Sequence, residues 1–515
     1  MTENRRIFLN IVATYGRSLY SLVCGILTGR WILMALGAED YGLYGVVGGL
    51  TIFIAFFNNI LSSSISRFYT FSVGKAKTAK SSEEALRECQ AWFNTAVSIH
   101  TVIPFLLISI GYPIGVWAVK SFLTIPLDRI EACVWVFRFA CISCFVSMVN
   151  VPFQAMYTAK QYIAELTIYS FATTTLNVCF LYFIVTHPGD WLAKYAAWAC
   201  ALVAIPQLII CLRALKVFPE CKIRFEMLFR KERFKQLGTF AIWQMLGALC
   251  GLLRGQGMAI LINKFHGPNV NAAMSVANTV NGQSSTLASA MLGAFSPAIT
   301  TAYGAGDFKR MQTLAFGACK FSVLLSLIFM IPLSLELPEV LKLWLKNPPP
   351  YVCGLTLLML VSHLIENLTH GHMVAVSASG RIALYQVLMG SVSLLALPIA
   401  IWWAFCGGSP YTVVCAIIIT QVVYTCIRVI LTRKIVKLPI RPWAFRIVIP
   451  LFALTALCVS IGLVPRLMLD ASIWRIILTT VCSLLVFFPL TWFMILNEDE
   501  RSFMRTRIMF KFGIK

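Results

Sequence analysis

Long apolar runs separated by short polar connections recur along the whole chain. Their lengths predict about fourteen helices. The first six run near 10–34, 43–72, 91–112, 132–157, 166–186 and 194–214, and the next six near 238–264, 272–302, 313–335, 352–374, 383–404 and 411–431. The last two run near 445–465 and 473–496. A bilayer core needs about 20 apolar residues per helix, so the longer runs are expected to tilt or to extend into water.

The pattern repeats. Residues 36–75, LGAEDYGLYGVVGGLTIFIAFFNNILSSSISRFYTFSVGK, are echoed by residues 265–307, FHGPNVNAAMSVANTVNGQSSTLASAMLGAFSPAITTAYGAGD. A shift of 230 positions brings Gly37 onto Gly267, Ser66 onto Ser296, Thr70 onto Thr300, Gly74 onto Gly304 and Lys80 onto Arg310. An offset of six helices keeps both halves in the same orientation, which is a parallel repeat about an axis along the membrane normal. The expected organisation is a six-helix lobe over 1–215, a cytoplasmic linker over 216–237 and a second six-helix lobe over 238–432. Residues 433–515 add two helices and a basic tail.

Composition excludes a soluble chain. Of the 515 residues, 59% are hydrophobic and 12% charged, with a mean hydropathy of +0.79; soluble domains carry about 25% charge. The expected class is an all-α integral membrane protein. A net charge of +22 would point to nucleic acid in a soluble protein. Here the basic residues sort to one side of the helices: Arg5, Arg6, Lys75, Lys77, Lys80, Arg87, Lys160, the dense 213–235 loop, Lys309, Arg310, Arg381, Arg433, Lys434, Lys437 and Arg441. The tail adds Arg501, Arg505, Arg507, Lys511 and Lys515, whereas the other side has only scattered cases such as Lys120, Arg129, Lys194, Lys342 and Lys346. That asymmetry places both termini in the cytoplasm, agrees with an even helix count and removes the case for nucleic acid. The first apolar segment is too long for a cleavable signal, is interrupted by Arg17 and Arg30, and is expected to stay as a helix.

Charged and polar residues inside the runs are the functional candidates. Arginine at mid-membrane costs about 2.5–3.5 kcal/mol on insertion scales and faces a bundle interior or a wet cavity. Arg17, Arg67 and Arg254 are in that position, with Arg138 and Lys320 as weaker candidates for a cavity wall. Helical spacing puts Asn10, Thr14, Arg17, Ser21, Cys24 and Thr28 on one face of helix one, and Asn59, Ser62, Ser66 and Thr70 on one face of helix two. Helix seven carries Gln244, Gly247, Gly251 and Gly255; helix eight carries Asn278, Asn281, Ser285 and Ser289. Such faces serve close helix packing or line a hydrated cavity in which arginine forks hold an anion. Helix ten aligns His363, Glu366 and His370, with His372 off that face. The trio fits an ion-coupling relay, a metal site or a plain polar contact.

The 17 cysteines, including the Cys141/Cys144 pair, read as reduced packing residues in apolar segments. No phosphate-cradling GxxxxGK[ST], GxSxG or HExxH occurs, so neither an ATPase nor a catalytic function is expected, and no cofactor or metal.

The first copy of the repeat, Arg30 followed by LGAEDYGLYGVVGG and SISRFYTFSVGK, resembles bacterial polysaccharide-biosynthesis flippases of the multidrug/oligosaccharidyl-lipid/polysaccharide exporter superfamily. The second copy, LASAMLGAFSPAITTAYGAGDFKRM, resembles the eighth-helix region of the same group. The resemblance implies two six-helix lobes in a V around a central cavity, with alternating access. It implies an undecaprenyl-pyrophosphate-linked oligosaccharide as cargo in the bacterial inner membrane, and contact with membrane lipids and polysaccharide-assembly machinery. By helix and depth, Arg17, Arg67 and Arg254 are the matches for pyrophosphate-holding arginines. The alternative in the same superfamily is a cation-coupled multidrug exporter, drawing on a proton or sodium gradient. A polymerase or ligase would need a larger outer loop than those at 113–131 and 336–351.

Overall fold

The computed structural model describes residues 3–76, 81–123, 125–187, 189–345, 348–498 and 500–502. Lys77, Lys80, Lys346, Arg505, Arg507, Lys511 and Lys515 lie outside the described residues, as do the side chains of Arg5, Arg6 and Arg30. Every regular element among the described residues is helical. The first half holds α1 (Glu3–Gly49), α2 (Ile52–Ala76), α3 (Ser82–Trp117), α4 (Ile130–Ala159), α5 (Ile163–Thr186) and α6 (Leu192–Val217). Then follow α7 (Lys231–His266), α8 (Pro268–Gly304), α9 (Phe308–Leu335), α10 (Leu337–Leu345), α11 (Val352–Asn367), α12 (His370–Ser379), α13 (Ala383–Leu394), α14 (Ala396–Phe405) and α15 (Pro410–Val436). The chain closes with α16 (Ile440–Trp443), α17 (Ile449–Met468) and α18 (Ile473–Leu490).

Each of the fourteen expected runs is helical; the run at 383–404 is interrupted at Leu395, between α13 and α14, and there are three further differences. The run at 43–72 does not begin as a separate helix: α1 continues to Gly49, broken only at Gly37 (φ 78, ψ 168), where a side chain would be strained. The run at 352–374 is two helices, α11 and α12, bent by 44°. The connection at 336–351 contains the short α10. Ten helices among the described residues are long and apolar enough to cross a membrane, and the bent pair makes an eleventh. α1, α2 and α8 are not among them; in α2 and α8, Asn, Ser and Thr dilute the apolar residues.

The repeat is visible in the backbone. Gly37 and Gly267, matched by the 230 shift, have φ of 78° and 83°. Thr70 Oγ1 donates to the Ser66 carbonyl, and Thr300 Oγ1 to the Ser296 carbonyl at 3.0 Å. A Cβ on Gly74 would lie 2.1 Å from the Thr301 oxygen, and one on Gly304 would lie 2.3 Å from the Phe71 oxygen. Phe71 and Thr301 are themselves 230 apart, so the same contact is made twice, as across a two-fold axis.

Contacts divide the chain into two compact units. Unit 1 is Met1–Met245 with Gly293–Met311, and the α2–α8 crossing at Gly74 and Gly304 lies wholly inside it. Its core packs Val47, Cys133, Phe137 and Leu192 in one cluster and Ile32, Leu181 and Ile184 in another. Unit 2 is Leu246–Leu292 with Gln312–Lys515. Its core packs Ile262, Ala273, Leu355, Ala400 and Val413, and a second cluster seats α17 and α18 on α9 through Leu327, Leu454 and Phe487. Two buried ion pairs fix this appended hairpin: Glu336 with Arg475 at 2.9 Å, and Lys320 with Glu500 at 2.5 Å. Lys320 is therefore occupied by the C-terminal segment rather than lining a cavity. All 17 cysteines are free thiols.

Candidate functional site

The most unusual chemistry lies at the bend between α11 and α12. The helical ladder is interrupted at Leu368 and Thr369, which frees backbone and side-chain acceptors inside unit 2. Trp443 Nε1 donates to the Leu368 carbonyl at 2.9 Å. Arg428, on α15 and fully buried, donates from Nη1 to Thr369 Oγ1 at 3.0 Å. Its guanidinium lies over the Tyr424 ring, 4.4 Å from the centroid. Its Nε and Nη2 have no hydrogen-bond partner among the described residues.

Glu366, half-buried one turn before the bend, is within electrostatic reach of His370, Arg428, Arg254 and His363. Its carboxylate makes no hydrogen bond and no ion pair within 4.0 Å among the described residues, so it faces cations without being locked to one. The histidines differ. His363 is held on both nitrogens: Asn367 Nδ2 lies 3.0 Å from Nε2, and Ser285 Oγ of α8 lies 3.3 Å from Nδ1. Asn367 also donates to Ser326 Oγ on α9 at 2.9 Å. Contacts to Ser285 of α8 and, through Asn367, to Ser326 of α9 thus fix the orientation of the His363 ring. His370 is buried and its Nδ1 has no partner among the described residues. His372 points elsewhere, against Cys319 (3.6 Å) and the Trp443 ring. No group of three metal-ligating side chains occurs among the described residues.

The structure thus brings together His363, Glu366, His370 and Arg254, which sequence reading had placed in two separate groups. It adds Arg428, which that reading missed. The signal was available: Gln421, Thr425, Arg428 and Thr432 recur every three or four residues on α15. Arg428 was masked by the run of Arg433, Lys434 and Lys437 behind it, which reads as topology.

The other candidates are dispersed. Arg17 on α1 is half-buried, with no hydrogen bond or ion pair among the described residues. Arg67 on α2 is boxed by the rings of Phe68 (4.7 Å), Phe71 (5.2 Å) and Phe240 (5.2 Å). Such contacts help hold a guanidinium in place. Asn10 is a packing residue: it bridges to Gln161 and accepts from the Ala164 backbone, tying α1 to α5. Arg138 is engaged by the Tyr112 hydroxyl at 2.9 Å. Asn59 and Asn278 are exposed, and Asn281 has a buried, unpartnered Oδ1. Gln244 is half-buried near the start of α7. The small residues of α7 split between two roles. Gly247 and Gly257 meet Gln386 and Leu397 at distances no Cβ tolerates, whereas Gly251 and Gly255, flanking Arg254, face open space.

Residues 245–365 match the family model described as MatE. Among curated proteins none matches in sequence. Three solved structures are similar over most of the chain. A MATE mutant has a TM-score of 0.69 at 14% identity, covering 84% of this chain and 96% of its own. The outward-facing conformation of a multidrug resistance MATE family transporter of the MOP superfamily has 0.66 at 14%, covering 84% and 95%. A MOP superfamily transporter from Pyrococcus furiosus, described as having a binding pocket of reverse polarity, has 0.67 at 13%, covering 85% and 98%. MATE-family proteins are membrane transporters, not enzymes, and the fold of this chain is theirs.

Proposed function

We propose that this chain is an exporter of small molecules that works by alternating access and draws on an ion gradient, with the cluster around Glu366 as its coupling site. The observation that carries the reading is a carboxylate inside an apolar helical unit, close to two histidines and two arginines yet paired with none within ion-pair distance. Buried ionisable residues in membrane helices mark ion and proton pathways. An unlocked carboxylate exchanges a proton or cation without first breaking a fixed salt bridge. The likeness to a multidrug resistance transporter supports the same reading.

A second reading, the flippase for lipid-linked oligosaccharide, is favoured by two observations. Arg17 is free among the described residues and suits a pyrophosphate. The compared structures leave about 15% of this chain uncovered, a share that suits the appended 433–515 segment in size.

Transport in proteoliposomes tests both. Ethidium efflux driven by an imposed pH or sodium gradient is expected for the wild type and is expected to be lost in Glu366→Gln. If ethidium does not move under either gradient while an undecaprenyl-pyrophosphate oligosaccharide crosses and Arg17→Ala stops it, the flippase reading replaces the first.

A further inference from the structure

The segment between α6 and α7 is expected from sequence to be a basic connecting loop. The structure makes it an ordered strap with two faces. Its inner face is bound to unit 1. Phe218 is buried against Tyr157 and Tyr162, with ring centroids at 5.0 and 5.6 Å. Cys221 is fully buried, and burial raises its thiol pKa, which keeps the group protonated. Glu220 pairs with Lys160 at 2.5 Å. The backbone is tied down as well: Gln90 donates to the Pro219 carbonyl at 2.9 Å, Asn94 donates to the Lys222 carbonyl at 3.0 Å, and the Arg224 N–H donates to Asn94 Oδ1 at 2.7 Å.

With the inner face fixed, the outer face is fixed too. Phe225 is 86% exposed, Phe229 72% and Ile223 48%. Phe229 stacks on Phe234 at 6.1 Å, which holds its ring in place without covering it. Along the same stretch Lys222, Arg224, Arg230, Lys231 and Lys235 are exposed, as are the acids Glu226 and Glu232. Exposed aromatic rings set among cations are the composition of a membrane-interface contact: apolar groups enter the acyl boundary while Lys and Arg meet lipid phosphates. The segment's reach agrees. Residues 218–230 join the ends of two helices, both long and apolar enough to span, so the strap lies near the bilayer surface. The basic side is the one the positive-inside rule assigns to the cytoplasm, whose leaflet carries the anionic lipids.

We infer that the 222–235 face is a docking surface for anionic phospholipid, seating Phe225 and Phe229 in the headgroup–acyl boundary and holding the strap against the cytoplasmic leaflet. The inference does not depend on what the protein transports. Its occupant is a lipid leaflet rather than a soluble partner because charge, aromatic exposure and proximity to two spans coincide on one face.

The test uses the full chain in nanodiscs, with the fluorescent amino acid dansylalanine at position 225 in place of phenylalanine. The site is exposed, so folding is preserved, and unfolding temperature in detergent checks this. In discs containing phosphatidylglycerol, the emission is expected to shift to the blue and to be quenched by brominated lipid. In purely phosphatidylcholine discs, and with K222Q, R224Q, R230Q and K231Q combined, the quenching is expected to fall several-fold. A probe that stays quenchable by aqueous iodide in every lipid overturns the inference. Quenching that ignores both lipid charge and the four substitutions overturns the anionic specificity. A probe that becomes buried only when soluble cell extract is added assigns the face to a protein partner instead.

Discussion

The fourth and sixth helices of the two halves occupy the same places in chain order and carry opposite chemistry. In unit 1, Asn150 and Gln154 of α4 both donate to Gln207 Oε1 of α6, at 2.6 Å for Gln154. In unit 2, the same two layers hold Glu366, His370 and Arg428. Asn150 and His370 each stand nine residues before the end of their helix, while Gln207 and Arg428 stand ten and eight before theirs. The physical difference is the bend. α4 is continuous despite Pro152, and its Asn150 and Gln154 share one acceptor on α6, with Asn150 Oδ1 left without a partner among the described residues. α11–α12 is broken, and the break supplies the Thr369 hydroxyl that receives Arg428. Neutral amides bond one another across a membrane helix pair, whereas the Arg428 guanidinium donates to the Thr369 hydroxyl beside the break. Duplication has kept the backbone plan and left the ionisable cluster to one half.

The largest expected effect comes from breaking the charged layer one residue at a time. Glu366→Leu leaves Arg428 without its nearby carboxylate, and Arg428→Leu leaves Glu366 facing one cation fewer. Breaking a locked, buried ion pair costs about 3–5 kcal/mol, an upper bound for this unlocked set, whereas replacing both charges with apolar residues is often neutral. Each single substitution is therefore expected to lower the unfolding temperature sharply, and the double substitution to recover most of it while gradient-driven transport stays lost. Additive destabilisation in the double would show that the two charges do not answer each other.

A smaller effect tests the part the halves share. Gly74→Ala and Gly304→Ala each force a Cβ into a carbonyl oxygen at the α2–α8 crossing. Overpacking of this kind costs about 1–3 kcal/mol. Because the two contacts are equivalents, the two unfolding temperatures are expected to fall by similar amounts. A silent substitution at one glycine and a damaging one at the other would break the reciprocity.

Much of this was legible in the sequence, for identifiable reasons. Helix positions follow from apolar run length, and the repeat was carried by residues under steric constraint. Gly37 and Gly267 need positive φ, and Gly74 and Gly304 need the absence of a side chain. The His363, Glu366 and His370 face follows from helical spacing. What was not legible depends on tertiary contacts between distant segments. Arg67 reads as a free cation until Phe240, far along the chain, closes over it. Lys320 reads as a cavity residue until Glu500 reaches it. The 44° bend in α11–α12 has no proline or glycine at Leu368 and Thr369 to announce it. The fixed inner face of the 218–224 strap rests on Gln90 and Asn94, more than a hundred residues earlier.

The smallest effect sharpens the contrast most. Gln207→Leu removes the acceptor shared by Asn150 and Gln154 and leaves both amides unpaired within unit 1. Interhelical hydrogen bonds in membranes average about 0.6 kcal/mol, so losing two is expected to cost about 1 kcal/mol. That is a shift of a few degrees in unfolding temperature, well below the effect of Glu366→Leu. Gradient-driven transport is expected to persist, because the amide layer holds helices together and carries no exchangeable charge. If Gln207→Leu instead abolishes transport while the protein remains folded, the neutral layer takes part in coupling. The division of labour between the halves would then fail, since a polar network without a titratable group would be doing what is here ascribed to Glu366.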